Sequence, residues 1–154
     1  MKSLLIVISI HHNSTGKIAQ AMAKVLDAQV KKPQQVNPEE LQEYDLVGFG
    51  SGIYGAKPHK ALFNLADKLL KVSNKKAFIF STAGITSKNK TAEDHSSLRE
   101  VLESKGYIIL DEFQCKGFNT NSFLKYFGGM NKGRPNVEDL KNAEDFAENL
   151  KQKD

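Results

Sequence analysis

The chain predicts an α/β fold, one parallel sheet covered by helices on both faces, and three observations lead there. Short apolar runs recur at Leu4 to Ile8, Leu46 to Gly50, Ala77 to Ser81 and Ile108 to Gln114, each bounded by polar residues or glycine. Segments of helical spacing separate them. The resulting order, β-α-β-β-α-β-α-β-α, has no other compact arrangement, because strands that are apolar on both sides need helices over both.

The elements follow in order. Leu4 to Ile8 is the first strand, and the turn Ser9-Ile10-His11-His12-Asn13-Ser14-Thr15-Gly16-Lys17 leads into a helix whose apolar stripe is Ile18, Met22, Val25 and Leu26. Ala28 to Lys31 is a weaker strand. Asn37-Pro38-Glu39-Glu40 combines an N-cap residue, proline at the first helical position and acids on the positive helix end, with room for only a short helical turn. After the strand Leu46 to Gly50, a second stripe of Leu62, Leu65, Ala66 and Leu69 predicts another helix. Leu98, Val101 and Leu102 follow the third long strand, and Leu140, Ala143, Ala147 and Leu150 close the chain. Gly117 to Asn136 is longer than an ordinary connection, which marks it as functional.

Composition bounds the reading. The 154 residues form one domain, 1–154, able to bury roughly two-thirds of the unfolded surface without disulfide or metal. With 40% hydrophobic and 26% charged residues the chain is neither disordered nor fibrous, and no apolar stretch reaches the ~20 residues of a membrane span. The N-terminal run is a strand, not an export signal. A single cysteine, Cys115, forms no internal disulfide, so a cytoplasmic setting is expected. The net charge of +4 is spread along the chain without interleaved aromatics, which argues against nucleic acid as a partner.

In sheets of this kind ligands sit at the carboxyl ends of the strands, where the chain order reverses. Three loops meet there: Ser9 to Lys17, Ser51 to His59 and Thr82 to Lys90. The first gathers hydroxyls, an amide, imidazoles and backbone N–H groups at a helix start, which suits an anion such as phosphate. It is not a Walker A loop, since His11 stands where that motif needs glycine and Ile18 where it needs a hydroxyl. Gly50-Ser51-Gly52-Ile53-Tyr54-Gly55 satisfies G-x-G-x-x-G but follows a later strand, and the ribose-binding acid is missing. Its glycines are expected to form a tight turn beside something flat, with Tyr54 as an aromatic face.

A phosphate turn paired with a glycine-tyrosine loop suits a ligand with one phosphate and a planar ring. At this point the whole chain resembles a short-chain flavodoxin. The turn matches the family's T/S-x-T-G-x-T phosphate loop in placement, with His11-His12-Asn13-Ser14-Thr15 occupying it and Asn13 where glycine is usual. Asn visits left-handed backbone, so the exchange is tolerated. The resemblance implies a five-stranded sheet of order 2-1-3-4-5 and bound FMN. It also implies the site. Ser9, the N–H groups from His11 and His12 through Asn13 to Gly16, and the hydroxyls of Ser14 and Thr15 hold the phosphate. Gly52, Ile53, Tyr54 and Gly55 lie along the ring, with Tyr54 stacked on it, and the backbone of Thr82, Ala83, Gly84 and Ile85 addresses the pyrimidine edge.

Two departures from the family carry expectations. No Phe, Tyr or Trp lies between Phe80 and Tyr107, where many flavodoxins place a second aromatic, leaving Phe118 or Phe123 for the other ring face. Ala56 and Lys57 follow Gly55 where several members have an acid, so the second one-electron potential is expected to be less negative than in acidic flavodoxins. The implied role is a monomeric one-electron carrier between redox proteins, a reductase and an acceptor, attracted by a basic rim of Lys57, Lys88, Lys90, Lys116 and Lys132. An FMN-dependent NAD(P)H:quinone or protoporphyrinogen oxidoreductase-like enzyme is the alternative, and a flavin-free binding module a third. Cys115 reads as a buried apolar residue, and Asn136 as the cap of the last helix or part of a basic lip with Lys132 and Arg134.

Overall fold

The computed structural model describes residues 1–10, 13–117 and 131–153. In chain order the elements are β1 (Ser3–Ile8), α1 (Ser14–Leu26), β2 (Gln29–Lys31), two 3-10 turns (Pro33–Gln35 and Pro38–Glu43), β3 (Leu46–Tyr54), β4 (Lys57–Pro58), α2 (Lys60–Lys68), β5 (Lys75–Ala83), α3 (Lys88–Ser104), β6 (Tyr107–Lys116) and α4 (Val137–Lys153). The sheet runs β2-β1-β3-β5-β6, all parallel, with β4 paired only to β3. Counting parallel strands alone, this is the 2-1-3-4-5 order. It places β3 at the centre between β1 and β5, so the loops after β1, β3 and β5 leave the sheet side by side.

Alternation along each strand divides the core in two. Leu4, Ile6, Val47, Phe49, Ala77 and Ile79 face α2 and α3, packing on Leu62, Leu65, Leu98 and Leu102. Leu5, Val7, Phe78 and Phe80 face the other way, onto Ile18, Met22, Ala143 and Ala147 of α1 and α4. Phe78 and Phe80 stack at 5.7 Å on this second face, and the neighbouring strand makes room for them. A methyl group at Gly48 would stand 2.3 Å from the Phe78 ring, and one at Gly50 2.2 Å from Phe80. The first glycine of the G-x-G-x-x-G run therefore serves core packing.

The strands run further than their apolar stretches. β3 continues through Gly52, paired to β5, into Ile53 and Tyr54, paired antiparallel to β4, and β5 runs through Thr82 to Ala83 against β6, because pairing satisfies the backbone whatever the side chain. Thr82 and Ala83 thus belong to a strand end where the sequence suggests a loop. Asn37 caps its 3-10 turn as expected, its side chain accepting from the Glu39 N–H at 3.1 Å.

Candidate functional site

The first turn enters α1 through Asn13, whose φ of 51° and ψ of 34° are left-handed and whose side chain makes no capping hydrogen bond. Its first turn also holds no acid. The other helix starts differ. His59 caps α2, Ser87 caps α3, and Asn136 accepts from the Asp139 N–H at the start of α4. With neither an N-cap side chain nor an acid of its own at the positive end, the start of α1 favours an anion. Ser9 Oγ accepts the Gly16 N–H at 3.1 Å, folding the strand end back over the turn. A methyl at Gly16 would stand 2.0 Å from the Asn13 side-chain amide, which would have to turn aside to admit it.

Thr15 is buried, and its hydroxyl meets that of Thr82 at 2.8 Å. This bond joins the first loop to the end of β5. Gly117 at the end of β6 completes the junction, since a methyl there would stand 3.0 Å from both Ser14 and Thr82. Its N–H donates to the Ala83 carbonyl at 3.1 Å. Asn131, where the chain returns, donates through Nδ2 to the Gly84 carbonyl at 2.8 Å. Ile85 at the tip of this third loop is exposed.

Between these two loops β3 ends in a hairpin. Ile53 pairs with Pro58 and Tyr54 with Lys57, across Gly55 at φ 57° and Ala56 at φ 62°. Two left-handed central residues match the right-handed twist of a two-residue hairpin. Glycine suits the first position, while alanine at the second is strained. The Tyr54 ring is half-buried, which raises its phenol pKa, and it packs against His59 with centroids 5.4 Å apart and planes at 89°. Burial, and then the neighbouring Lys60, lowers the pKa of His59.

Beneath the third loop lies a polar cluster that sequence reading missed. Ser81 Oγ is 2.7 Å from His95 Nε2, and His95 Nδ1 is 3.0 Å from Glu112. Arg99 grips the same carboxylate at 2.6 and 2.9 Å. Gln114 donates to both Ser81 and Asp94, and Asp94 also pairs with Lys90. Ser81 and His95 are wholly buried, so the cluster acts as a bolt between β5, α3 and β6. The only sequence signal was polar residues breaking the apolar pattern of α3 and β6.

Of the remaining expectations, His11, His12, Phe118 and Phe123, with most of the 117–136 loop, lie outside the described residues. Lys57, Lys88 and Lys132 are exposed, whereas Lys90 is committed to Asp94. Arg134 is gripped by Asp139 at 2.5 and 2.6 Å beside the Asn136 cap, so it belongs to the helix start. Cys115 is buried, and desolvation first, then Asp139, pushes its thiol up to about 12, which makes it inert.

Residues 5–129 match the model of the flavodoxin domain. The chain belongs to the flavodoxin domain family. At family level this is a flavin-binding electron carrier. An uncharacterized protein of Methanocaldococcus jannaschii is 48% identical over 150 residues, covering 97% of this chain and 98% of that protein. Among solved structures, a flavodoxin from the domain Archaea superposes with a TM-score of 0.73 at 17% identity, covering 99% of this chain and 98% of that one. Oxidised flavodoxin 2 from Bacillus cereus gives 0.74 at 19% over both full chains. These likenesses establish the flavodoxin fold. Among the described residues no helix is long and apolar enough to cross a membrane.

Proposed function

We propose that this flavodoxin-domain protein holds FMN without a covalent bond and passes single electrons between protein partners, with no substrate turnover of its own. The observation that carries this reading is the acid-free start of α1, not capped by Asn13 and drawn against the end of β5 by the Thr15–Thr82 bond. One phosphate suits that helix end. Tyr54 stands on the strand between and offers a flat face, and the backbone of 82–85 remains for hydrogen bonds to a ring edge. When bound, FMN supplies the redox chemistry, and the protein positions it and sets its electrostatic surroundings.

Exposed Lys57, Lys88 and Lys132 flank these loops and favour partners with acidic surfaces, a reductase and an acceptor, through encounter rates that fall as salt rises. The test is photoreduction of the purified protein with FMN. A yellow protein that accumulates a blue one-electron-reduced form fits the carrier. Steady NAD(P)H oxidation by the isolated protein would make it an oxidoreductase-like enzyme instead. A colourless preparation that ignores FMN would refute both.

A further inference from the structure

We propose that His59 is the positioning residue for Tyr54, fixing the plane in which that ring meets the flavin; the inference rests on the FMN reading above. The Tyr54 hydroxyl has no hydrogen-bond partner among the described residues, so packing alone orients the ring. Two neighbours supply it. The phenol lies over Gly52, where a methyl group would come within 3.0 Å of its oxygen and 3.2 Å of the ring. His59 meets the ring at 89°, the edge-to-face geometry that aromatic pairs favour. Gly52 is the floor and His59 the wall.

A wall must itself be fixed, and two hydrogen bonds hold His59. Its N–H donates to Ser51 Oγ at 2.9 Å, and Ser51 in turn donates to the Gly52 carbonyl at 2.6 Å. Its Nδ1 accepts from the Ala61 N–H at 2.9 Å, capping α2. An accepting Nδ1 puts the ring proton of the neutral imidazole on Nε2, so the bond selects tautomer and ring orientation together. The preceding Pro58 is buried and paired with Ile53. Ser51, Gly52, Tyr54 and His59 thereby form a closed bracket around the hairpin, anchored to the first turn of α2. A histidine is needed for both tasks at once. Asparagine or serine would cap the helix but leave the Tyr54 ring unsupported, and phenylalanine would support the ring but leave the helix uncapped.

That division of labour gives the test. His59→Asn keeps a cap and removes the ring, whereas His59→Phe keeps a ring and removes the cap. In the flavin-free protein, NMR is expected to show contacts between the His59 and Tyr54 rings. Contacts between the Tyr54 ring and Gly52 should weaken in His59→Asn and persist in His59→Phe. With FMN added, His59→Asn is expected to bind about three- to tenfold more weakly at an unchanged melting temperature. His59→Phe should show the converse, a lowered melting temperature with near-normal FMN affinity. Unchanged Tyr54–Gly52 contacts in His59→Asn, or affinity loss only in the variant lacking the cap, would reduce His59 to a helix cap and overturn the proposal. A wild-type protein that fails to take up FMN refutes the cofactor reading, and the flavin-free Tyr54–Gly52 contacts still decide whether His59 positions the ring.

Discussion

Lys57 pairs with Tyr54 across the hairpin and is exposed, where several flavodoxins carry an acid. A positive charge there favours the more negative, fully reduced flavin. Lys57→Glu is expected to make the second one-electron potential more negative by on the order of 50 mV at low salt, since the two-unit change acts through solvent. Potentiometric titration giving the wild-type value would show that the charge is fully screened. The placement of Asn13 in left-handed backbone was legible from its residue type. The Thr15–Thr82 bond was not, because nothing local in the sequence says which of two distant hydroxyls will meet. His59 escaped notice for a related reason. Histidine stands outside the usual N-cap set, and its contact with Tyr54 exists only once the hairpin has turned.

β3 joins core and site, and its glycines mark where each begins. Gly48 and Gly50 yield to Phe78 and Phe80, Gly52 lies under Tyr54, and Gly55 turns the hairpin. Gly50→Ala should therefore cost about 1–3 kcal/mol through overpacking against Phe80. Urea unfolding measures the loss, and adding Phe80→Leu should recover part of it. Equal stability of Gly50→Ala and wild type would mean that the ring moves freely and that the glycine has another reason. Strand existence was readable from apolar runs, yet the strand ends were not, since Gly52 to Tyr54 and Thr82 to Ala83 pair through backbone alone. The two-residue β4 was hidden too. Its turn is Gly55-Ala56, without the Asn-Gly or Asp-Gly signal.

For the whole molecule, ionisable groups packed at element junctions set the acid limit. Burial raises the Glu112 pKa, but hydrogen bonds from His95 and Arg99 outweigh it and hold the group below 4.5. Asp139 is likewise held below 3.8 by Arg134 and the Asn136 N–H against burial. Carboxylates of this kind stabilise fully above their unfolded pKa and lose the contribution as pH falls through the folded value. His59 acts earlier. Its folded pKa lies below 6.5, so the unfolded chain takes up the proton first and stability declines as pH drops from 6.5 to the folded value. Urea midpoints against pH are expected to fall in two stages, a shallow one beginning near 6.5 and a steeper one below 4.5. His59→Asn should remove the first and Glu112→Gln part of the second. A single stage in the wild type would mean that His59 carries no linkage.

The Thr15–Thr82 bond spans 67 residues, and β1 lies inside the sheet between strands made after it. A chain emerging from the ribosome exposes the anion turn first but completes its surroundings only when more than half its length has been synthesised. The turn has no floor until β3 arrives and no far wall until β5 is paired. A ligand cannot template the early steps of such a pathway. It closes over a finished sheet as a late clamp, so its presence should slow unfolding far more than it speeds folding.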